Sequence, residues 1–107
     1  MKVSINVTLP DTLSWDEERL IAANGYGREM VFKRIVICPS RPLKKVMGFH
    51  PATTLHISWD SSIGRNEARS DFREYLLSRA VPPDLKKRCE VLFDNADAID
   101  EEGTLIT

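Results

Sequence analysis

The chain has no base after Arg88, only two cysteines, five glycines, and no uninterrupted apolar run longer than four residues. Each shortage removes a class of protein. The longest apolar runs, at 20–23 and 35–38, fall far short of the ~20 residues that span a bilayer, so no membrane partner is expected. The N-terminus alternates polar and apolar residues and has no continuous apolar core, which argues against a secretory signal. Cys38 and Cys89 lie 51 positions apart and match no metal or redox spacing. Both sit in apolar patterns, so buried free thiols in a reducing cytoplasm are the expectation. Gly and Pro are few, 42% of residues are hydrophobic and 29% charged, which is the composition of an ordinary globular protein. At 107 residues, 1–107 reads as a single domain with a modest core and a distinct acidic segment at 90–107.

What is present is alternation and amphipathicity. In KVSINVTLP, Val3, Ile5, Val7 and Leu9 face one side, which predicts a half-buried strand ended by Pro10-Asp11. Ser14 and Glu17 form a capping-box pair opening a short helix to about Asn24, with Leu13, Leu20 and Ile21 as its apolar stripe and Gly25 as its cap. A second strand is predicted at 29–38, central because 35–38 is apolar on both faces, with Pro39 stopping it. A third is predicted at 44–49. In TTLHISWD, Leu55, Ile57 and Trp59 point inward and His56, Ser58 and Asp60 outward. A helix at 65–79 carries Ala68, Phe72, Tyr75 and Leu76 on one face; Pro82-Pro83 then opens a last helix lined by Leu85, Cys89, Leu92, Phe93 and Ala96. The predicted fold is α+β in the order β-α-β-β-β-α-α, a three- or four-stranded, mainly antiparallel sheet with helices packed on one face.

No catalytic, metal or cofactor signature emerges. Gly25-Tyr26-Gly27 follows a helix and precedes a strand, whereas a dinucleotide loop needs strand, loop, then helix. His56, Ser58 and Asp60 share a strand face, but alternate residues stand roughly 6.6 Å apart, too far for a nucleophile–base hydrogen bond. His50 and His56 lack an obvious third metal ligand. In DNADAIDEE, Ala96 and Ala98 occupy the alternate positions that a calcium loop needs for ligands.

Charge is the distinctive feature. Residues 1–88 hold fifteen bases and ten acids (+5), while the last nineteen hold six acids and no base (−6). Placed on a continuing helix, Glu90, Asp94, Asp97 and Glu101 form one stripe, within a sector of about 60°. The stripe runs against the helix dipole, because Lys86, Lys87 and Arg88 crowd the N-terminal end, and it places like charges next to each other. Over ~16 Å of helix its carboxylate density approaches the one phosphate per ~3.4 Å of a nucleic-acid strand. A solvated face, a surface for a basic protein partner, and docking onto the chain's own or a neighbouring copy's basic hairpin all accommodate it. Two basic clusters stand elsewhere: Lys33, Arg34, Arg41, Lys44 and Lys45 around the second and third strands, and Arg65, Arg69 and Arg73 at helical spacing.

The functional expectation is a small non-enzymatic interaction module, a regulator or inhibitor, binding a basic protein surface through Glu90, Asp94, Asp97 and Glu101. The alternative is a nucleic-acid-binding regulator using Lys33, Arg34, Arg41, Lys44 and Lys45, which would contact phosphates. Against that alternative, the net charge of −1 lacks the strong basic excess usual in such domains. No cofactor is expected, and a homo-oligomer is compatible with the pattern.

Overall fold

Strict alternation buries one side of each long strand, and that side organises the molecule. A computed structural model describes residues 1–8, 27–40 and 54–106. Among these, the elements are β1 (Lys2–Thr8), β2 (Met30–Phe32), β3 (Ile35–Ser40), β4 (Thr54–Asp60), α1 (Arg65–Ser78), α2 (Pro83–Asn95), β5 (Ala98–Asp100) and β6 (Leu105–Ile106). The strands form one antiparallel sheet of six, ordered β2-β3-β4-β1-β5-β6. The α+β class and the antiparallel sheet agree with the sequence reading; three or four strands and the order β-α-β-β-β-α-α do not. The helix expected up to Asn24, with its capping pair and Gly25, and the strand expected at 44–49 lie outside the described residues.

Two local events account for the extra strands. The segment expected as one strand at 29–38 is a hairpin, β2 and β3, joined by Lys33 and Arg34. Lys33 turns the chain with φ +53°, a conformation in which Gly or Asn would have advertised the turn. Nor does Pro39 stop β3: it lies within the strand, opposite Leu55. The second event is at the C-terminus. The last helix ends at Asn95, Ala96 becomes extended (ψ 139°), and Ala98–Asp100 pairs with β1. The continuous helix that placed Glu90 and Glu101 on one stripe is therefore not formed.

The core lies between the sheet's inner face and the two helices. Ile5, Val7, Ile35, Ile37, Leu55, Ile57 and Trp59 supply the sheet side; Ala68, Phe72, Tyr75, Leu76, Leu85, Cys89 and Phe93 supply the helix side, all buried. At its centre Phe93 stacks on Phe72 (5.4 Å between centroids) and on Trp59 (5.9 Å), and Phe32 meets Tyr75 edge-on at 5.6 Å. Pro83 sits in the first turn of α2, where its missing N–H is no loss. α1 ends in a Schellman motif: Ala80 N–H donates to Leu77 O (3.0 Å) and Val81 N–H to Leu76 O (3.2 Å). No described helix is long and apolar enough to cross a membrane.

Candidate functional site

Both charged surfaces singled out by the sequence fold back, in part, onto α1. One side of α1 carries Glu67, Asp71 and Glu74, and the β2–β3 turn lies over it. Arg34 donates from Nε to Asp71 Oδ2 (3.0 Å), from Nη2 to Asp71 Oδ1 (2.8 Å), from Nη1 to Glu67 Oε2 (2.8 Å), and from its backbone N–H to Asp71 (3.1 Å). Lys33 pairs with Glu74. Asp71 is the one buried charged residue among those described, at 2% exposure. Hydrogen bonds from the Arg34 guanidinium hold its carboxyl below the usual range, against the opposing effect of burial. Lys33 and Arg34 of the expected nucleic-acid set are thus engaged internally, and Arg41, Lys44 and Lys45 lie outside the described residues.

The other side of α1 carries Arg65, Arg69 and Arg73, and it faces α2. Arg65 Nη2 donates to the carbonyls of Phe93 (2.7 Å) and Ala96 (2.5 Å) at the C-terminal end of α2, with its guanidinium 5.7 Å from the Phe93 ring centroid. Arg69 Nε donates to Asp94 Oδ1 at 2.6 Å, and Arg73 lies 3.6 Å from Glu90. Lys86 adds a second partner for Glu90 at 3.5 Å, leaving the Glu90 side chain only 12% exposed. The dipole conflict read in the sequence has its compensation here: arginines from another helix sit at the negative end of α2. Of the four expected partner-binding acids, Glu90 and Asp94 are tied to α1. Glu101 accepts from the Lys2 N–H (2.5 Å), and Asp97 is exposed with no hydrogen bond or ion pair among the described residues.

Among the described residues, the sheet face away from the helices is the open one. Its register aligns Val31, Val36, Ser58, Ser4, Ile99 and Leu105 in a single row across all six strands. Val31 and Leu105, at the two ends, are 72% and 61% exposed. A groove of about 390 Å³ lies on this face, floored by Ser4, His56, Ser58 and Ile99. Glu29 bounds one side; Asp100, Glu101 and Gly103 of the β5–β6 turn bound the other. Asp100 Oδ1 organises that turn by accepting from the N–H groups of Glu102 and Thr104, both at 2.9 Å. The acidic run therefore ends as a hairpin tip beside a groove.

His56, Ser58 and Asp60 do share a face, as expected, but the His56 partner is across the sheet: Nδ1 lies 2.9 Å from Asn6 Oδ1. His50 is outside the described residues. Among those described, no three His, Cys, Asp or Glu side chains converge on a metal position. The thiols differ from expectation in one respect, because Cys89 is buried but Cys38 is partly exposed on the open face. The sequence reading missed Glu29, Ser4 and Ile99 as groove residues. The available signal was Gly103 between two short apolar pairs, Ala98-Ile99 and Leu105-Ile106, which is a hairpin pattern. No protein-family model, curated protein or solved structure matches the chain.

Proposed function

We propose that the chain is a small non-enzymatic interaction module, a regulator or inhibitor, that holds a basic protein segment against the open face of its sheet. The observation that carries this reading is the groove of about 390 Å³ with carboxylates at both sides, Glu29 on one and Asp100 and Glu101 on the other, against the single lysine Lys2. Charge complementarity selects a partner carrying Lys or Arg, and the apolar positions of the cross-sheet row, Val36 and Ile99, favour one that also offers apolar side chains. The acids that serve it are Glu29, Asp100 and Glu101; Glu90 and Asp94 are already neutralised by α1.

A peptide alternating Lys or Arg with Val, titrated into isotopically labelled protein, tests this by amide chemical shifts. Movement at Ser4, His56, Ser58, Ile99 and Glu101 that weakens with added salt is the expected result. Movement confined to Glu90 and Asp94, or none at low salt, overturns it.

A further inference from the structure

Folding partners the acids of α2 but leaves two of its bases unpaired. Glu90 and Asp94 meet arginines of α1, and Lys86 pairs with Glu90. Lys87 and Arg88 are exposed and make no hydrogen bond or ion pair among the described residues. With Asp84, Val91 and Leu92 they line a groove of about 450 Å³. Counted from Asp84, the other four follow at three, four, seven and eight positions, which is one continuous face of a helix. Val91 is 48% exposed on that face, and Asp84 is its one acid.

The complementary surface is on the same chain. Asp97 and Glu102 bracket β5 and are exposed; neither side chain has a hydrogen bond or ion pair among the described residues. Neither of them lines the groove on the open sheet face. Leu105 and Ile106, in edge strand β6, are 61% and 39% exposed beside them. With no base after Arg88, nothing in the hairpin itself offsets its acids. One surface thus offers two unpaired bases over an apolar floor, and the other two unpaired acids beside an apolar edge.

We propose that the α2 groove receives the β5–β6 hairpin of a second copy of this chain. Lys87 and Arg88 pair with Asp97 and Glu102 of the second copy, while its Leu105 and Ile106 cover Val91 and Leu92. A nucleic-acid strand would meet the same two bases but leave the apolar floor uncovered. The two surfaces differ, so the contact is heterologous unless two copies exchange hairpins and close as a dimer. Each side offers fewer residues than the roughly 20–30 of a standard interface, and its ion pairs lie at the surface. The association is therefore weak, reversible and sensitive to salt. It does not rest on the sheet groove, whose acids are Glu29, Asp100 and Glu101.

Sedimentation equilibrium of the full chain tests this between roughly 10 μM and 1 mM, the range of weak contacts. The average mass is expected to rise with concentration, and to rise several-fold less in about 0.5 M salt, where exposed charges are screened. Lys87→Glu with Arg88→Glu, and separately Asp97→Lys with Glu102→Lys, are each expected to stay monomeric. Melting curves like that of the wild type accompany both, because none of the four side chains has a partner among the described residues. Mixed one to one, the two variants associate again, since each reversed surface meets its reversed complement. Glu29→Gln associates as the wild type does. A wild-type chain that stays monomeric throughout overturns the proposal. So does association that survives reversal at Lys87 and Arg88, or a mixture of the two variants that remains monomeric.

Discussion

At the residue scale, three arginines decide what the acidic C-terminus is. Arg65 binds the last carbonyls of α2, and Arg69 and Arg73 hold Asp94 and Glu90. The carbonyls of Phe93 and Ala96 are partly buried, so removing Arg65 leaves acceptors with less water to replace it. Arg65→Ala is expected to cost about 2 kcal/mol, as a lost charged hydrogen bond typically does, measured by denaturant unfolding. Arg69→Ala removes an exposed pair and is expected to cost well under 1 kcal/mol. On the other side of α1, Arg34 holds the Asp71 carboxyl below its ordinary range. The unfolded chain then binds that proton more readily than the folded one. The contribution is complete above the ordinary carboxylate pKa of ~4 and is lost as pH falls through the lower folded value. Thermal melts from neutral to strongly acid pH should therefore show a steeper acid loss of Tm in the wild type than in Asp71→Asn.

At the scale of elements, legibility followed the strength of the local signal. β1 and β4 alternate strictly, α1 has a clean apolar face, and Pro82-Pro83 marks the start of α2, so all four were readable. The β2–β3 turn and the end of α1 were not, because they use residues without turn chemistry. Lys33 and Ala80 both adopt left-handed conformations, at φ +53° and +54°, without being Gly or Asn. β5 was hidden for another reason: its three residues continue the numerical spacing of the helix before them, and only pairing with β1 decides the matter. A stripe inferred from helical geometry fails wherever the helix stops early. The Schellman position supplies a test of this account. Ala80 occupies the place where Gly has no Cβ penalty, so Ala80→Gly is expected to stabilise the protein by roughly 0.5–1 kcal/mol despite the greater freedom of the unfolded chain. Chemical denaturation would read this directly, and a loss of stability would show that the turn is not strained.

For the whole molecule, the charge separation seen in the sequence is partly closed by folding and partly left open. α1 carries acids toward the β2–β3 turn and arginines toward α2, so each end of the sequence's charge asymmetry meets its complement across this helix. What remains for a partner lies on the sheet, where Glu29, Asp100 and Glu101 bound the groove. The sequence alone could not separate engaged acids from available ones, because the arginines that meet Glu90 and Asp94 lie 17 and 25 residues away in the chain, and only the Lys86 partner of Glu90 is local. The most direct measurement of this division compares two double variants, Glu90→Gln with Asp94→Gln and Glu29→Gln with Glu101→Gln, for thermal stability and for affinity to the basic peptide. The account predicts that the first pair lowers Tm and leaves affinity intact, while the second lowers affinity several-fold with little change in Tm. Loss of affinity in the first pair, with the second binding as wild type, would contradict it.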